Sequence, residues 1–201
     1  MTADVHVVCS SGDCALRFPA PAGTACPLCG SATAVVAARL PNVPLRRSPR
    51  RQLALIFDNV RSAHNVGVML RTAECVGATH VYHCGITAPP HHPKVAKAAL
   101  GSEQRIVASV HRDVVAVVAQ LQAEGLACWA LESVAAADDI FVAAADAPAS
   151  LALVVGNEVA GVDPGVLALC TRRVTLPMTG DKNSLNVGHA LAAAAYALAF
   201  S

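Results

Sequence analysis

From Leu53 onward, short apolar runs alternate with segments of helical periodicity, and this alternation restricts the chain to few folds. Six runs are predicted as strands: LALIFDNV, THVYHCG, QRIVASV, ACWALES, LALVVG and RRVTLPM. Helices are predicted between them, and a closing helix from about Leu185 to Phe200 has Ser184 as its expected N-cap. Buried strands that alternate with helices indicate an α/β domain whose mainly parallel sheet is covered on both faces.

Composition supports a folded chain. Of 201 residues, 54% are hydrophobic and only 14% are charged, which provides a substantial core and argues against disorder. No run approaches the roughly 18 apolar residues of a membrane span, so no membrane association is predicted. The start, MTADVHVVCSSGDC, lacks the pattern of a signal peptide, and we therefore predict a cytoplasmic location.

Polar loops follow three of the predicted strands: DNVRSAHNVG, GNEVAG and PMTGDKNSLN. Parallel sheets bind ligands beyond the carboxyl ends of their strands, so these loops are expected to line one crevice. A glycine-rich dinucleotide fingerprint does not follow any predicted strand, and GNEVAG lacks its middle glycine. Since the sequence also lacks a P-loop, a dinucleotide-dependent enzyme or a nucleoside triphosphatase is disfavoured.

Four of the eight cysteines lie in the first thirty residues, in the pattern C-x4-C, eleven residues, then C-x2-C. These residues are Cys9, Cys14, Cys26 and Cys29. Two close pairs joined by a short hairpin suit a structural zinc ion with four thiolate ligands, and a segment this small needs such support. Disulfides or free thiols are the alternatives, and His6 is a possible substitute ligand. The other cysteines, Cys75, Cys84, Cys128 and Cys170, are predicted as small core residues.

Between this segment and the first predicted strand of the sheet lies an arginine-rich and proline-rich stretch, RLPNVPLRRSPRR. Its prolines favour an extended backbone, and it contains no acidic residue. It can be a solvated linker, a strap that contacts the phosphates of a nucleic acid, or both, and the arginines expected to make these contacts are Arg46, Arg47, Arg50 and Arg51. The predicted organisation is a cysteine-rich, zinc-ribbon-like segment (1–40), a linker (41–52) and the α/β domain (53–201).

Three segments carry a resemblance to a known family. In order and spacing, NVGVMLRTAECVG, LVVGNEVAGV and VTLPMTGDKNSLNVGHALAAAAYAL resemble the three motifs of the SpoU (TrmH-like) branch of the SPOUT RNA methyltransferases. The resemblance covers about residues 53–200 and leaves the cysteine-rich segment as an extension. It implies the SPOUT fold, an α/β sheet whose C-terminal part forms a deep trefoil knot, which is an exception to the rule that chains avoid knots. It also implies a homodimer, with S-adenosylmethionine bound in the knot beside the dimer interface.

The activity that the resemblance implies is methylation of a ribose 2′-hydroxyl in a structured RNA, either tRNA or rRNA. The catalytic residues carried over by motif are Asn65, Arg71, Glu158, Ser184 and Asn186. The cofactor-binding residues are Leu131, Gly156, Leu176, Met178, Ser184 and Leu185. In this interpretation Leu131 and Leu176 sandwich the adenine, while backbone groups of Gly156, Leu176 and Met178 bind its edge and the ribose.

Individual roles stay open at this level. Arg71 as the base is costly because an arginine pKa lies above about 12, so we favour a role in holding a phosphate or the developing alkoxide. Glu158 could simply accept hydrogen bonds from loop amides, and Ser184 could be a plain N-cap. His64 precedes Asn65, but the motif does not require it.

Two other functions compete with the enzyme. One is an RNA-binding protein that kept the knotted fold and lost catalysis, which the presence of every motif residue disfavours. The other is a zinc-ribbon adaptor whose α/β domain binds protein.

Overall fold

The computed structural model describes residues 5–201, so the first four residues of the predicted cysteine-rich segment lie outside the described part. The chain divides into two compact units, Met1–Arg47 and Ser48–Ser201, and the division falls within the predicted linker. In the first unit, β1 (Val5–Cys9) lies between β2 (Arg17–Ala20) and β3 (Thr33–Ala37) in an antiparallel sheet.

The second unit contains a seven-stranded sheet with helices on both faces. Its strands are β4 (Gln52–Asp58), β5 (His80–Cys84), β6 (Ala108–His111), β7 (Ala127–Leu131), β8 (Asp138–Asp139), β9 (Ser150–Val155) and β10 (Arg172–Thr175). Its helices are α1 (Ala63–Val76), α2 (Pro93–Ala99), α3 (Val114–Ala123), α4 (Ile140–Ala143), α5 (Pro164–Leu169) and α6 (Val187–Phe200). Single 3-10 turns occupy Ser102–Gln104 and Ala144–Asp146.

The strand order is β6-β5-β4-β9-β7-β10-β8, and every neighbouring pair is parallel. The predicted α/β class with a mainly parallel sheet is therefore confirmed. After β4 the chain builds one side of the sheet through β5 and β6, and the later strands build the other side. The direction in which successive strands are added to the sheet reverses between β4 and β9. In open parallel sheets, ligands bind at such a point, beyond the carboxyl ends of the strands.

Alternating residues of β4 divide the core into two layers, because successive side chains of a strand point to opposite faces. Leu55 and Phe57 pack in the cluster that contains the buried faces of α1 and α6, while Ile56 packs in the cluster that contains α3 and α5. All three side chains are fully buried. The sheet is thus covered on both faces, as its nearly continuous apolar strands predict.

Three local predictions are wrong. Helix α6 begins at Val187 with Asn186 as its N-cap, and Ser184 lies in the exposed loop before it. Asn and Ser are equally good caps, so the capping preference alone does not choose between them. The start of QRIVASV is not a strand: Ser102–Gln104 is a 3-10 turn, whose Ser102 hydroxyl donates to Glu74 at 2.6 Å. Cys75 is exposed, although Cys84 and Cys128 are buried.

Strand β8 was not predicted because it has only two residues, too few for any periodicity. Among the described residues, no helix is long and apolar enough to span a membrane.

Candidate active site

A pocket of about 450 Å³ lies at the carboxyl ends of β7, β9 and β10 and continues along the loop that precedes α6. Every residue predicted to bind the cofactor lines it: Leu131, Gly156, Leu176, Met178, Ser184 and Leu185. Leu176 is 8% exposed, whereas Leu185 is 49% exposed, so the pocket has a buried apolar wall and an open rim. Such a mixture of apolar surface and a few polar groups is typical of small-molecule sites.

Two glycines shape the loop after β9. Gly161 has a φ of +75°, which favours glycine, and a Cβ there would overlap the Glu132 carboxylate. A Cβ at Gly156 would overlap the backbone of Gly161 and Val162. The loop closes on itself because Asn157 and Gly161 exchange backbone hydrogen bonds of 2.9 Å in both directions. Side chains at either glycine would therefore force the pocket wall apart.

Glu158, at the tip of this loop, binds the start of α1. One carboxylate oxygen accepts the backbone N–H of Arg61 at 2.8 Å. The other accepts the backbone N–H of Ser62 at 3.0 Å and the side-chain amide of Asn65 at 3.1 Å. The motif residue Glu158 therefore does bind loop amides, but it also holds a second motif residue in place.

Asn65 continues this line of hydrogen bonds to α6. Its side-chain oxygen accepts the amide N–H of Asn186 at 3.2 Å, and the Asn186 oxygen in turn accepts the backbone N–H of Gly188 at 2.9 Å. Three of the five predicted catalytic residues, Glu158, Asn65 and Asn186, thus form one chain of hydrogen bonds. Ser184, the fourth, lies exposed on the pocket lining beside them.

Opposing effects act on the pKa of Glu158. Partial desolvation raises the pKa, while hydrogen bonds from the backbone N–H groups of Arg61, Glu158 itself and Ser62, and from the Asn65 amide, lower it. The net effect is a pKa below the ordinary value, because donors favour the carboxylate form. The ionised Glu158 accepts hydrogen bonds and has no proton to donate, so it suits a positioning role.

Arg71, the fifth predicted catalytic residue, is not brought to this line. It lies on α1 six positions after Asn65, which corresponds to about 9 Å along the helix axis. Its side chain is exposed and is not part of the pocket lining.

Two polar residues that sequence analysis did not single out also help to build the wall of this pocket. Glu132 lines the pocket immediately after β7, and its carboxylate accepts the backbone N–H of Val162 at 2.8 Å. Asn157 donates its side-chain amide to the Asn59 carbonyl at 2.7 Å, which joins the loops after β9 and β4. Asn157 directly follows a predicted strand, and that position could have identified it, whereas Glu132 lies inside the predicted strand ACWALES and in the structure follows the end of β7.

The four N-terminal cysteines converge within the first unit. Their sulfur atoms all lie within 4.8 Å of one another, with Cys9 and Cys29 separated by 3.4 Å and Cys14 and Cys26 by 3.7 Å. A disulfide would hold two sulfurs at about 2.05 Å, so the four thiols are free. His6 is exposed and lies outside this cluster.

This cluster fits a tetrahedral metal. Four thiolates at about 2.3 Å from a zinc ion lie about 3.8 Å from each other, close to the sulfur separations of the cluster. The residue after each pair has a positive φ, +46° at Ala15 and +74° at Gly30, which turns the backbone sharply around the sulfurs. Four protein ligands leave no open position, so the chemistry of this donor set is structural and not catalytic.

The predicted RNA-binding arginines differ in their surroundings. Arg46, Arg47 and Arg50 are exposed, whereas Arg51 is half-buried and donates a guanidinium N–H to the Ala144 carbonyl at 2.9 Å. Burial, together with the neighbouring charge of Arg50, lowers the pKa of Arg51. The side chain of Arg51 thus has a local structural partner, and Arg46 and Arg50 offer the more accessible charges.

A parallel sheet with a pocket at its carboxyl ends, next to a line of side-chain amides and a carboxylate, defines an α/β protein with the architecture of a small-molecule binding site. The chain belongs to the SpoU rRNA Methylase family, whose model matches residues 52–196. The first two motifs of the resemblance lie within the matched range, and the third extends two residues beyond it, to Leu198.

Two curated proteins with similar sequences are consistent with this family assignment. The chain is 33% identical over 159 residues to the 23S rRNA (guanosine(2553)-2′-O)-methyltransferase RlmP of Bacillus subtilis, covering 78% of this chain and 62% of RlmP. It is 30% identical over 159 residues to the tRNA (guanosine(18)-2′-O)-methyltransferase of Escherichia coli K12, covering 79% and 67%. The chain therefore spans less than two thirds of the length of RlmP.

Solved structures share the fold. A TrmH-family protein from Porphyromonas gingivalis superposes with a TM-score of 0.66 at 28% identity, covering 84% of this chain and 66% of that protein. The SpoU methyltransferase AviRb from Streptomyces viridochromogenes, solved with AdoMet, superposes with a TM-score of 0.65 at 24% identity, covering 85% and 68%.

Proposed function

We propose that this chain is an S-adenosylmethionine-dependent methyltransferase that methylates a ribose 2′-hydroxyl of tRNA or rRNA. The observation that carries the proposal is the hydrogen-bonded line Glu158–Asn65–Asn186 at the edge of the pocket. Residues from all three family motifs meet there, although they are far apart in the chain. The RNA 2′-O-methyltransferase names of RlmP and of the Escherichia coli relative support the reaction.

The pocket would hold S-adenosylmethionine, which supplies an activated methyl group when bound. Leu131 and Leu176 offer apolar surface to an adenine, and the glycine loop after β9 brings backbone groups of Gly156 to the same wall. The AdoMet complex of AviRb, whose fold the chain shares, supports this choice of ligand. The predicted trefoil knot around this pocket is part of the proposal.

The line of hydrogen bonds would orient the substrate. Glu158 fixes the Asn65 amide, and Asn65 fixes the Asn186 amide, so the rim of the pocket is preorganised before RNA binds. Ser184, exposed on the same rim, can bind the ribose or its hydroxyl. Arg71 would hold a backbone phosphate or the developing alkoxide, while the proton passes to phosphate or water. Holding the ribose hydroxyl and the methyl group in the correct orientation would lower the free-energy barrier to methyl transfer.

The remaining parts would assist docking. We propose that Cys9, Cys14, Cys26 and Cys29 bind one structural zinc ion and that the zinc unit, together with the exposed Arg46 and Arg50, contacts RNA. We also propose a homodimer, as the family resemblance implies, with exposed apolar side chains such as Phe141, Val142 and Tyr196 available for burial. We also propose a cytoplasmic location, as the sequence analysis predicts.

The decisive experiment is incubation with labelled S-adenosylmethionine and total RNA, followed by nucleoside mass spectrometry. We expect label in a 2′-O-methylated nucleoside, lost in Asn65→Ala and kept in the neighbouring control His64→Ala. Label in a methylated base would contradict the proposed position. RNA and cofactor binding without label would support the inactive RNA-binding alternative.

A further inference from the structure

Among the described residues that line the pocket, only two side chains are ionisable under ordinary conditions, and both are carboxylic acids: Glu132 and Glu158. The other lining side chains are apolar or neutral polar groups. The pocket therefore presents negative charge to its contents without a lining cation to balance it.

The two carboxylates are used differently. Glu158 accepts three hydrogen bonds from the start of α1 and belongs to the line that positions the catalytic rim. Glu132 lies on the β7 side of the pocket, half-buried, where one oxygen accepts the Ser133 N–H at 2.9 Å and the other accepts the Val162 N–H at 2.8 Å. Backbone donors thus fix the Glu132 carboxylate in the wall, but no cationic side chain of the described residues pairs with it.

The proposed reaction changes the charge of the pocket's contents. Methyl transfer breaks the sulfur–methyl bond, whose electron pair stays on sulfur, and forms a carbon–oxygen bond to the ribose, which gives up its hydroxyl proton to phosphate or water. A sulfonium of charge +1 becomes a neutral thioether, so the cofactor has one more positive charge than its product. The two molecules otherwise have nearly the same shape and the same polar groups.

We propose that Glu132 makes the pocket select the cationic cofactor over the neutral product, S-adenosylhomocysteine. This inference rests on the proposed function, because it requires S-adenosylmethionine in this pocket. A sphere of 450 Å³ is about 10 Å across, which is comparable to the Debye length of about 10 Å at 0.1 M salt, so screening leaves much of the attraction between the carboxylate and a sulfonium inside the pocket. Once the methyl group has left, this attraction disappears, and the product is released more readily.

Two variants separate charge from shape. Glu132→Gln removes the charge at nearly constant size, and Glu132→Asp keeps the charge but is too short for the same contact with Val162. Glu124→Gln removes an exposed carboxylate at the end of α3, outside the pocket lining, and serves as the matched control. Calorimetry would measure the affinities of S-adenosylmethionine, S-adenosylhomocysteine and sinefungin, an analogue with an ammonium group at the position of the sulfonium.

For Glu132→Gln we expect the preference for S-adenosylmethionine and sinefungin over S-adenosylhomocysteine to fall by about three- to tenfold. Glu132→Asp should weaken all three ligands together and preserve the preference, and the control should change nothing. Equal weakening of all three ligands by Glu132→Gln would show a purely structural role and overturn the inference. An unchanged preference would overturn it as well.

Failure of the proposed function has a different signature, since then the wild-type protein would bind none of the three ligands. If Glu132→Gln does not fold, as judged by circular dichroism, the wild-type protein still provides a test. Its preference for the charged ligands should decrease as salt is raised, because screening weakens only the charge-dependent part of binding. A preference independent of salt would contradict the inference.

Discussion

The side-chain amide of Asn186 donates to the side-chain oxygen of Asn65 at 3.2 Å, and this contact joins residues 121 positions apart. It connects the first turn of α1 to the N-cap of α6, so the two helices that cover one face of the sheet begin at the same rim of the pocket. Asn186 thereby has two functions, as a cap through its oxygen and as a donor through its nitrogen.

These two functions can be separated by substitution. Asn186→Asp keeps an oxygen that accepts the Gly188 N–H but loses the donor to Asn65, whereas Asn186→Ala loses both. We expect Asn186→Asp to retain thermal stability, and Asn186→Ala to lose about 1 kcal/mol in the free energy of unfolding. Methyl transfer should fall about tenfold or more in both variants. Wild-type transfer by Asn186→Asp, measured in single turnovers, would exclude the donor from catalysis.

Substitution of Arg71 tests whether the residues that bind the cofactor differ from those that accelerate methyl transfer. Because Arg71 lies outside the pocket lining, Arg71→Ala should bind S-adenosylmethionine nearly as well as the wild-type protein does. It should lower methyl transfer by orders of magnitude, since the lost contact acts mainly in the transition state. Arg112→Ala, which removes another exposed arginine, is the control. Transfer at the wild-type rate in Arg71→Ala would contradict its catalytic assignment.

The cysteine cluster predicts about one zinc ion per chain, released by thiol-modifying reagents. Cys26→Ser should loosen the first unit and leave the second folded, because each unit has its own buried side chains. Elemental analysis of protein purified under reducing conditions would measure the metal, and Cys75→Ser, at an exposed cysteine of the second unit, is the matched control. A metal-free preparation would refute the zinc site.

The exposed arginines predict salt-dependent RNA binding. Replacing Arg46 and Arg50 together by alanine should reduce the slope of log affinity against log salt by less than about one unit per lost phosphate contact. Cofactor affinity should not change. Titrations of RNA at several salt concentrations would measure the slope, and an unaltered slope would mean that the stretch 41–52 is only a linker.

The burial of His83 leads us to expect that the protein loses stability in acid. Burial lowers the pKa of His83, so the unfolded chain binds a proton at a pH where the folded chain does not. The stability contribution of neutral His83 is therefore present above the ordinary histidine pKa of about 6.5 and decreases as the pH falls below it. The side chain is fully buried and bonds through Nδ1 to the Ala88 carbonyl at 2.9 Å, which requires the Nδ1–H tautomer.

Denaturant unfolding between about pH 8 and pH 5 would test this expectation. His83→Asn cannot titrate and keeps an amide donor for Ala88, so its free energy of unfolding should depend less on pH than that of the wild-type protein. The exposed His91→Gln should follow the wild-type curve. Equal pH dependence in His83→Asn and the wild-type protein would contradict the assignment.

Much of the fold follows from patterns that are local in the sequence. The seven residues of β4 are apolar except at their ends, which is typical of a strand buried on both faces. Ser62 caps α1 through its hydroxyl, and Gly77 ends the helix with a φ of +70°, so both boundaries depend on residues within one turn. The close spacing of Cys26 and Cys29 is likewise a local pattern, and by itself it indicates a metal knuckle.

Other features depend on contacts between distant segments, and no local pattern contains them. The sequence suggested Ser184 as the cap of α6, but the hydrogen bond to Asn65 places that function at Asn186. Glu132 accepts the backbone N–H of Val162, 30 positions later in the chain, and this hydrogen bond places a carboxylate in the pocket wall. The insertion of β9 between β4 and β7 brings these loops to one edge.

The sequence by itself therefore determined the class of the fold, the helix-forming and strand-forming segments and the motif residues, because hydrophobic periodicity and turn chemistry act over a few residues. Only the tertiary structure decided which polar side chains meet, since a hydrogen bond of about 3 Å requires strand order, register and loop closure to be correct together. Glu158, Asn65 and Asn186 form one line of hydrogen bonds because the loops that carry them follow strands that are distant in the sequence but end at the same edge of the parallel sheet.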